Sequence, residues 1–394
     1  MSETIKKNIL YVNPFYQDIS GADESLTLIL RGLDKNLFNP IVAVPQKGSY
    51  AKKFEECGAK VIALPFARIK RSLNPFYIIG YAFSQFLEIP RFKKIIREYK
   101  IDIVHTNMEV VLSSGIAAKL CKVKSVYHYR HNAYDKPKIV YDVFIGLISK
   151  IADTIFVISK AVGEAFYRRG IKDKVKVLYN AIETAKFQNE RRENFFINNF
   201  QISRNDKVVV TVGRINKRKN LEDFVKMASL VVKKRGDTKF FIVGEAHFKE
   251  EQRYKKNLLA MIKDLNLEDS VILAGKHGAI PYVMNSADII TLSSCHEGFG
   301  RVLVEAMAVG KPLVGSDSGA IPEIMDYCEC GVIYPIGDAE AFAKAVIKLL
   351  DDPDECKRLG EAGKKRVKEN FTLEAQRAKI EEEYKKLFHD PQLF

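Results

Sequence analysis

Cysteine is scarce and scattered: six in 394 residues, at Cys57, Cys121, Cys295, Cys328, Cys330 and Cys356, with no CxxC spacing. That excludes a disulfide framework and fits a reducing compartment. Cys328 and Cys330 lack a second pair or a nearby His at ligand spacing, so no structural metal is expected and the thiols are read as buried or incidental. The N-terminus, MSETIKKNIL, lacks the long apolar run of a secretory signal, and a first strand is expected from Ile9. The protein is therefore expected to stay in the cytoplasm where it is made. No GxGxxG follows the strand-like runs, which argues against a dinucleotide-dependent dehydrogenase.

Acidic residues are under-represented in one half only. Residues 1–180 carry 29 Lys and Arg against 16 Asp and Glu, a net +13, whereas residues 181–394 carry 34 against 33, a net +1. The basic surface belongs to the N-terminal half. No nucleic-acid motif accompanies that charge, and aromatics interleaved with Arg are confined to Phe66–Leu87, so a nucleic-acid partner is not expected.

What is present is material for packed cores, with 47% hydrophobic residues and a length suited to two domains. In the first half, short β-branched runs (ILYV from Ile9, IVAV from Ile41, VIAL from Val61, IDIVH from Ile101, SVYHY from Ser125, TIFVIS from Thr154) alternate with helix-length segments. Leu26, Ile29, Leu30 and Leu33 recur at the spacing of an amphipathic helix laid on a sheet. Near-continuous apolar strands predict parallel sheets covered on both faces. A polar stretch after Asn180 precedes VVVTVG at Val208, and the alternation restarts with FFIVG, VILAG, DIITL, PLVG and GVIYP. The chain is thus α/β: a Rossmann-like domain over residues 1–182, a linker over 183–206 and a second Rossmann-like domain over 207–372, the two facing a central cleft. In such folds ligands sit beyond the carboxyl ends of strands.

Two loops carry chemistry there. EGFGRVLVEAMA, Glu297 to Ala308, reads as strand end, glycine loop and helix, aiming backbone N–H groups at a phosphate or a negatively polarised oxygen. Glu297 lies in the loop and Glu305 a turn into the helix, so the two carboxylates can accept from hydroxyls on different parts of one elongated ligand. In VGRINKRKN, Gly213 ends a strand and Arg214, Lys217, Arg218 and Lys219 precede a helix, either as a solvated basic loop or as a site for a diphosphate.

On these residues the C-terminal half resembles that of the family 4 glycosyltransferases, which have the two-domain GT-B fold. The paired glutamates separated by seven residues, Glu297 and Glu305, carry the likeness, with Ser293-Ser294 before them, PLVGSDSGAIPEI after them, and Arg214 and Lys219 in the diphosphate motif. QDISGADES, with Gly21 and Ala22, resembles the family's first glycine-containing loop, and DIVH ending at His105, ISKAVGEAF and VLYNAIE match more loosely. The resemblance implies that Glu305 meets the nucleotide ribose and Glu297 the donor sugar's hydroxyls. It implies that Gly298, Phe299 and Gly300 offer amides to sugar or phosphate oxygens, and that Gly213, Arg214, Lys219, Gly21 and Ala22 lie at the diphosphate. Backbone from Lys276 and His277 to Ile280 would meet the base. A family histidine near the reacting sugar falls on VYHYRHNAY, either at Arg130 or at His131, with His131 preferred and His128 read as a packed strand residue. His105 and Arg130 are possible acceptor-side residues. The C-terminal helix, about 373–394, would cross back to the N-terminal domain.

The resemblance further implies transfer of a hexose-type sugar with retention, by front-face attack in which the leaving diphosphate serves as base. No DxD-like metal site is needed, since the positive groups take the ion's part, and no cofactor is expected, the nucleotide-sugar being a substrate. Basic Arg68, Lys70 and Arg71 beside the apolar Phe66–Leu87 stretch suggest either a buried helix or an interfacial one, and the basic half-chain favours peripheral contact with an anionic membrane and a glycan or lipid-linked acceptor. The rival readings are a GT-B nucleotide-sugar epimerase and a catalytically silent nucleotide- or membrane-binding partner.

Overall fold

The computed structural model describes residues 6–14, 21–68, 74–130, 138–188 and 195–388, with backbone only at 75, 138–141 and 188. The chain divides into two compact units, Met1–Ala181 with Leu373–Phe394, and Ile182–Thr372.

The first unit runs β1 (Lys7–Val12), α1 (Gly21–Gly32), β2 (Phe38–Val44), α2 (Ser49–Glu56), β3 (Lys60–Ala63), α3 (Pro75–Glu98), β4 (Ile103–Thr106), α4 (Ser113–Leu120), β5 (Lys124–Tyr129), α5 (Lys138–Ile151), β6 (Thr154–Val157), α6 (Lys160–Tyr167) and β7 (Val175–Val177). Its seven strands are parallel in the order β3-β2-β1-β4-β5-β6-β7. Each β-branched run noted in the sequence forms a strand, the first starting two residues before Ile9, at Lys7. Local signals set the helix starts. Asn74 accepts from the Phe76 N–H ahead of α3, and Ser159 caps α6 by accepting from Val162. Leu26, Ile29, Leu30 and Leu33 face the core with Ile9, Phe38 and Val42.

The second unit runs α7 (Ala185–Gln188), α8 (Phe195–Phe200), β8 (Lys207–Val212), α9 (Leu221–Val232), β9 (Thr238–Val243), α10 (Lys249–Asp264), β10 (Val271–Gly275), α11 (Ile280–Ser286), β11 (Ile289–Leu292), α12 (Arg301–Ala308), β12 (Leu313–Ser316), α13 (Ile321–Ile324), β13 (Val332–Tyr334), α14 (Ala339–Asp351) and α15 (Pro353–Asn370). Its six parallel strands are ordered β10-β9-β8-β11-β12-β13. Within the stretch read as a linker, α8 buries Phe195 and Phe196, and Phe196 packs on Phe241 of β9 with ring centroids 4.3 Å apart. Phe200 packs on Phe241 as well, and the Phe195 N–H donates to Ser286 Oγ at 3.1 Å, so aromatic contacts and a hydrogen bond dock this segment on the second unit.

The last helix, α16 (Leu373–Leu387), packs on α1 of the first unit and adds Ile380, Tyr384 and Leu387 to its core. Gln376 Nε2 donates to the Tyr179 carbonyl at 2.7 Å, and Glu381 accepts from the Asp34 N–H at 3.0 Å.

Candidate active site

In both sheets the direction of strand addition reverses once, between β1 and β4 in the first unit and between β8 and β11 in the second. Loops leaving neighbouring strands in opposite directions open a crevice at that point. In the second unit these are the loop after β8, with Gly213 to Asn220, and the loop after β11, with Ser293 to Gly300.

The loop after β8 starts at a glycine for steric reasons. Gly213 and Gly244, at the ends of adjacent strands, have φ of +153° and +154°, and a Cβ on Gly244 would lie 1.8 Å from the Gly213 carbonyl oxygen. Ile215 is fully buried and bonds to the Glu245 carbonyl. Beyond it Lys217–Lys219 form a single 3-10 turn, capped by the Asn216 side chain accepting from the Arg218 N–H. This turn is stitched to the loop after β11: the Ser293 hydroxyl donates to the Lys219 carbonyl at 2.8 Å, and the Cys295 N–H to the Arg218 carbonyl at 2.8 Å. Across the join Lys219 Nζ meets Glu297 Oε2 at 2.8 Å.

The loop carrying Glu297 is held on its other side by the turn after β12. Ser316 donates to the Ser294 carbonyl, the His296 N–H to Ser318 Oγ, and the Ala320 N–H to the Glu297 carbonyl, at 2.9, 2.8 and 2.8 Å. Gly319 permits that approach. Its φ is +60°, and a Cβ there would sit 2.2 Å from the Glu297 carbonyl oxygen.

Electrostatics separate the two glutamates. Burial acts to raise the Glu297 carboxyl, but Lys219, with Arg218 beyond it, overcomes this and holds it down at about 2. Glu305 goes the other way: burial raises it, against a 2.9 Å hydrogen bond from Arg301 Nε. Arg214 is more than half exposed and lies 3.7 Å from Glu251. The Glu251 carboxyl also accepts from the His247 N–H at 2.8 Å. Phe299 is buried edge-on against Phe371, and Gly300 precedes the first residue of α12. His277 Nε2 lies 2.7 Å from the Ala274 carbonyl, which can only accept, so that nitrogen carries the proton and donates. Its ring stands edge-on to Phe195, and Lys276 beside it is exposed.

In the first unit the corresponding strand ends hold a polar network. Asn107 Nδ2 donates to Asn13 Oδ1 at 2.9 Å and to the Ala22 carbonyl at 3.2 Å, and Asn13 Nδ2 donates to Asp23 Oδ1 at 2.6 Å. Arg130 is its hub. Nε donates to the Asn107 carbonyl, one terminal nitrogen to Ser25 and Asn180, and the other to Asn107 Oδ1 and His128 Nδ1, all between 2.9 and 3.1 Å. A guanidinium has five N–H groups, and these contacts employ all of them. Gly21, the first residue of α1, is exposed with open space at its Cβ position.

Sequence profiles match each unit separately. One, described as Glycosyltransferase Family 4, covers residues 19–186, and another, described as Glycosyl transferases group 1, covers residues 192–366. Together they leave only the chain ends and a short connection unmatched. The chain belongs to the family 4 glycosyltransferases. This glycosyltransferase is 30% identical over 192 residues to N-acetyl-alpha-D-glucosaminyl L-malate synthase of Bacillus anthracis, an alignment over 48% of this chain and 47% of that relative, so it spans about half of that relative's length. It is 25% identical over 275 residues to UDP-Gal:alpha-D-GlcNAc-diphosphoundecaprenol alpha-1,3-galactosyltransferase of Escherichia coli, over 66% of this chain and 69% of that one. Anabaena HepE, solved in complex with UDP, superposes with a TM-score of 0.82 at 21% identity over 96% of this chain and 100% of HepE. That likeness places the two Rossmann-like units in the GT-B class.

Of the residues singled out in the glycosyltransferase's sequence, the fold brings Gly213, Lys219, Glu297, Gly298, Phe299, Gly300 and Glu305 onto the crevice loops and the helix that follows them. Arg214 is there too, turned toward Glu251. His131 lies outside the described residues. His105 is fully buried, its Nδ1 2.5 Å from Tyr384 Oη, which donates in turn to Tyr11. That packing sets His105 against α16 and the sheet. Arg130 is likewise committed to its own unit. Sequence reasoning missed Glu251, which carried no signal because only the fold brings α10 to Arg214. It also missed the clamp by Ser318 and Gly319, although both stood inside the quoted PLVGSDSGAIPEI.

Proposed function

We propose that this glycosyltransferase moves a hexose-type sugar from a nucleotide diphosphate donor to a glycan or lipid-linked acceptor with retention of configuration. The observation that carries the reading is the Lys219–Glu297 pair at the carboxyl ends of β8 and β11. A carboxylate kept ionised there accepts hydrogen bonds from sugar hydroxyls, and an ammonium beside it is placed for the diphosphate. Glu305 takes the ribose, the amides at Gly298 to Gly300 face sugar or phosphate oxygens, and Arg214 adds a second cation. The backbone from Lys276 and His277 meets the base, and the family resemblance assigns Gly21 and Ala22 to the diphosphate and His131 to the reacting sugar.

In the reaction the acceptor hydroxyl attacks the anomeric carbon from the face the diphosphate leaves. The bond from that carbon to the phosphate oxygen breaks, and the departing oxygen takes the hydroxyl proton. Lys219, Arg214 and the start of α12 stabilise its growing charge. These cations serve in place of a metal ion, and no cofactor takes part. The E. coli relative is named for a diphosphoundecaprenol acceptor and an alpha-linked product, and HepE was solved with UDP, which supports a uridine donor and a lipid-linked acceptor here. The basic first half, net +13, supports peripheral contact with an anionic membrane from the cytoplasmic side.

The test is a panel of nucleotide-sugars screened for slow hydrolysis by purified protein, with the first-formed sugar's anomeric configuration read by NMR. Retention, unaffected by EDTA, is expected. Inversion would refute the mechanism, and activity lost in EDTA but restored by magnesium would refute metal independence. Solvent deuterium entering the sugar would identify an epimerase instead.

A further inference from the structure

Helix α3 buries one side and exposes an apolar stripe on another. Tyr81, Gln85, Glu88, Phe92 and Ile96 face inward, as a helix covering a sheet requires. Yet Phe76, Ile79, Phe83, Phe86 and Leu87 form a second stripe at helical spacing that faces solvent, with Phe76 83% and Phe86 70% exposed. Val143 and Leu147 on α5 are exposed as well. Between α3, α4 and α5 lies a cavity of about 440 Å³. Its wall is aliphatic and aromatic apart from the Tyr81 hydroxyl and Gln85, and both are spoken for. Tyr81 donates to the Val110 carbonyl at 2.8 Å. The Gln85 amide donates to Ala67 and Glu88 and accepts from the Leu112 and Ser113 N–H groups. Such a wall has nothing to offer a polar ligand.

We infer that this cavity holds the hydrocarbon chain of the lipid that carries the acceptor, a reading that rests on the proposed lipid-linked acceptor and gives it a place. Two observations choose this occupant. Leu112 in the wall belongs to the same β4–α4 loop as Asn107 and Glu109, which meet Arg130 at the first unit's strand reversal. A chain seated in the cavity therefore has its head on the edge of the sheet where that unit's loops converge. The head group of such a lipid is anionic, and the half of the chain that bears the cavity carries the net +13. A contiguous exposed apolar patch with a charged margin marks a binding surface.

The probe is dodecyl phosphate below its micelle concentration, titrated calorimetrically into the full chain, with inorganic phosphate as the control. Saturable binding of dodecyl phosphate alone is expected. Ala82→Trp on α3 and, from the facing helix, Val143→Trp should each fill the cavity and weaken it at least about tenfold, a loss of roughly 1.4 kcal/mol, while thermal unfolding and nucleotide-sugar hydrolysis are unchanged. Binding that both variants leave intact overturns the inference. So does competition by phospholipid vesicles, which assigns the cavity to bulk membrane lipid. Failure of nucleotide-sugar hydrolysis with dodecyl phosphate binding intact would instead strike the proposed activity.

Discussion

At Glu297 the decisive contact is Lys219 Nζ at 2.8 Å. The pair makes the carboxyl's titration a stability term with a definite sign. Its pKa is depressed from an ordinary 4.5 to about 2, so the stabilisation is full above about pH 4.5 and is lost as pH falls toward 2, on the order of 3 kcal/mol in all. Urea denaturation of wild type and Glu297→Gln should therefore differ by a constant amount above pH 5 and converge on acidification. Between pH 5 and 8 the carboxylate does not titrate, so any acid limb of activity in that range belongs to another group. In turnover, Lys219→Ala should lower kcat about 10²- to 10³-fold, the usual loss when a stabiliser of leaving-group charge is removed. An unchanged kcat in steady-state assays would remove Lys219 from the mechanism. Arg130 acts differently. Its five N–H groups tie together Ser25, Asn107, His128 and Asn180, and Asp23 and Glu109 oppose the lowering of its pKa by burial. Arg130→Met should cost about 3–5 kcal/mol by chemical denaturation, leaving nucleotide binding by the second unit intact.

Among elements, the turn after β12 holds the loop that carries Glu297. Gly319→Ala forces a Cβ against the Glu297 carbonyl and strains a φ of +60°. It is expected to destabilise by more than about 1 kcal/mol and to cost activity together with the Lys219→Ala effect, which a double-mutant comparison of kcat would reveal as non-additive. Helix α16 is a second such element. Tyr384 connects His105 to Tyr11 in the first unit's interior, so Tyr384→Phe should lower stability by about 1–3 kcal/mol, seen as a lower Tm. The strands themselves were legible as β-branched runs, and α12 as a glycine loop followed by an apolar helix. The segment after Asn180 was less so, because two buried phenylalanines among Asn, Glu and Arg leave the apolar periodicity too short to register.

For the whole molecule, charge divides with the halves of the sequence, +13 against +1. Attraction of anionic vesicles to the basic half should fade as salt rises from about 0.01 to about 0.15 M, since the Debye length shrinks from about 30 to about 8 Å. Sedimentation that is indifferent to salt would mean that the apolar stripe on α3, not charge, holds the protein there.

By itself the sequence determined the two parallel-sheet units and set carboxylates and cations on the loops that follow their strands, because strand periodicity, glycine turns and charge spacing are local properties. The tertiary structure alone decided which of those groups meet. Lys219 and Glu297 are 78 residues apart, and they touch because strand order reverses between β8 and β11. His105 looked like a site residue and became interior because α16, remote in sequence, lies over it. Arg130, one of two alternatives for a reacting-centre position, bonds to Ser25, Asn107 and Asn180, which only the fold gathers around it. Pairings of this kind depend on which strand ends the sheet sets side by side, and no local pattern encodes that.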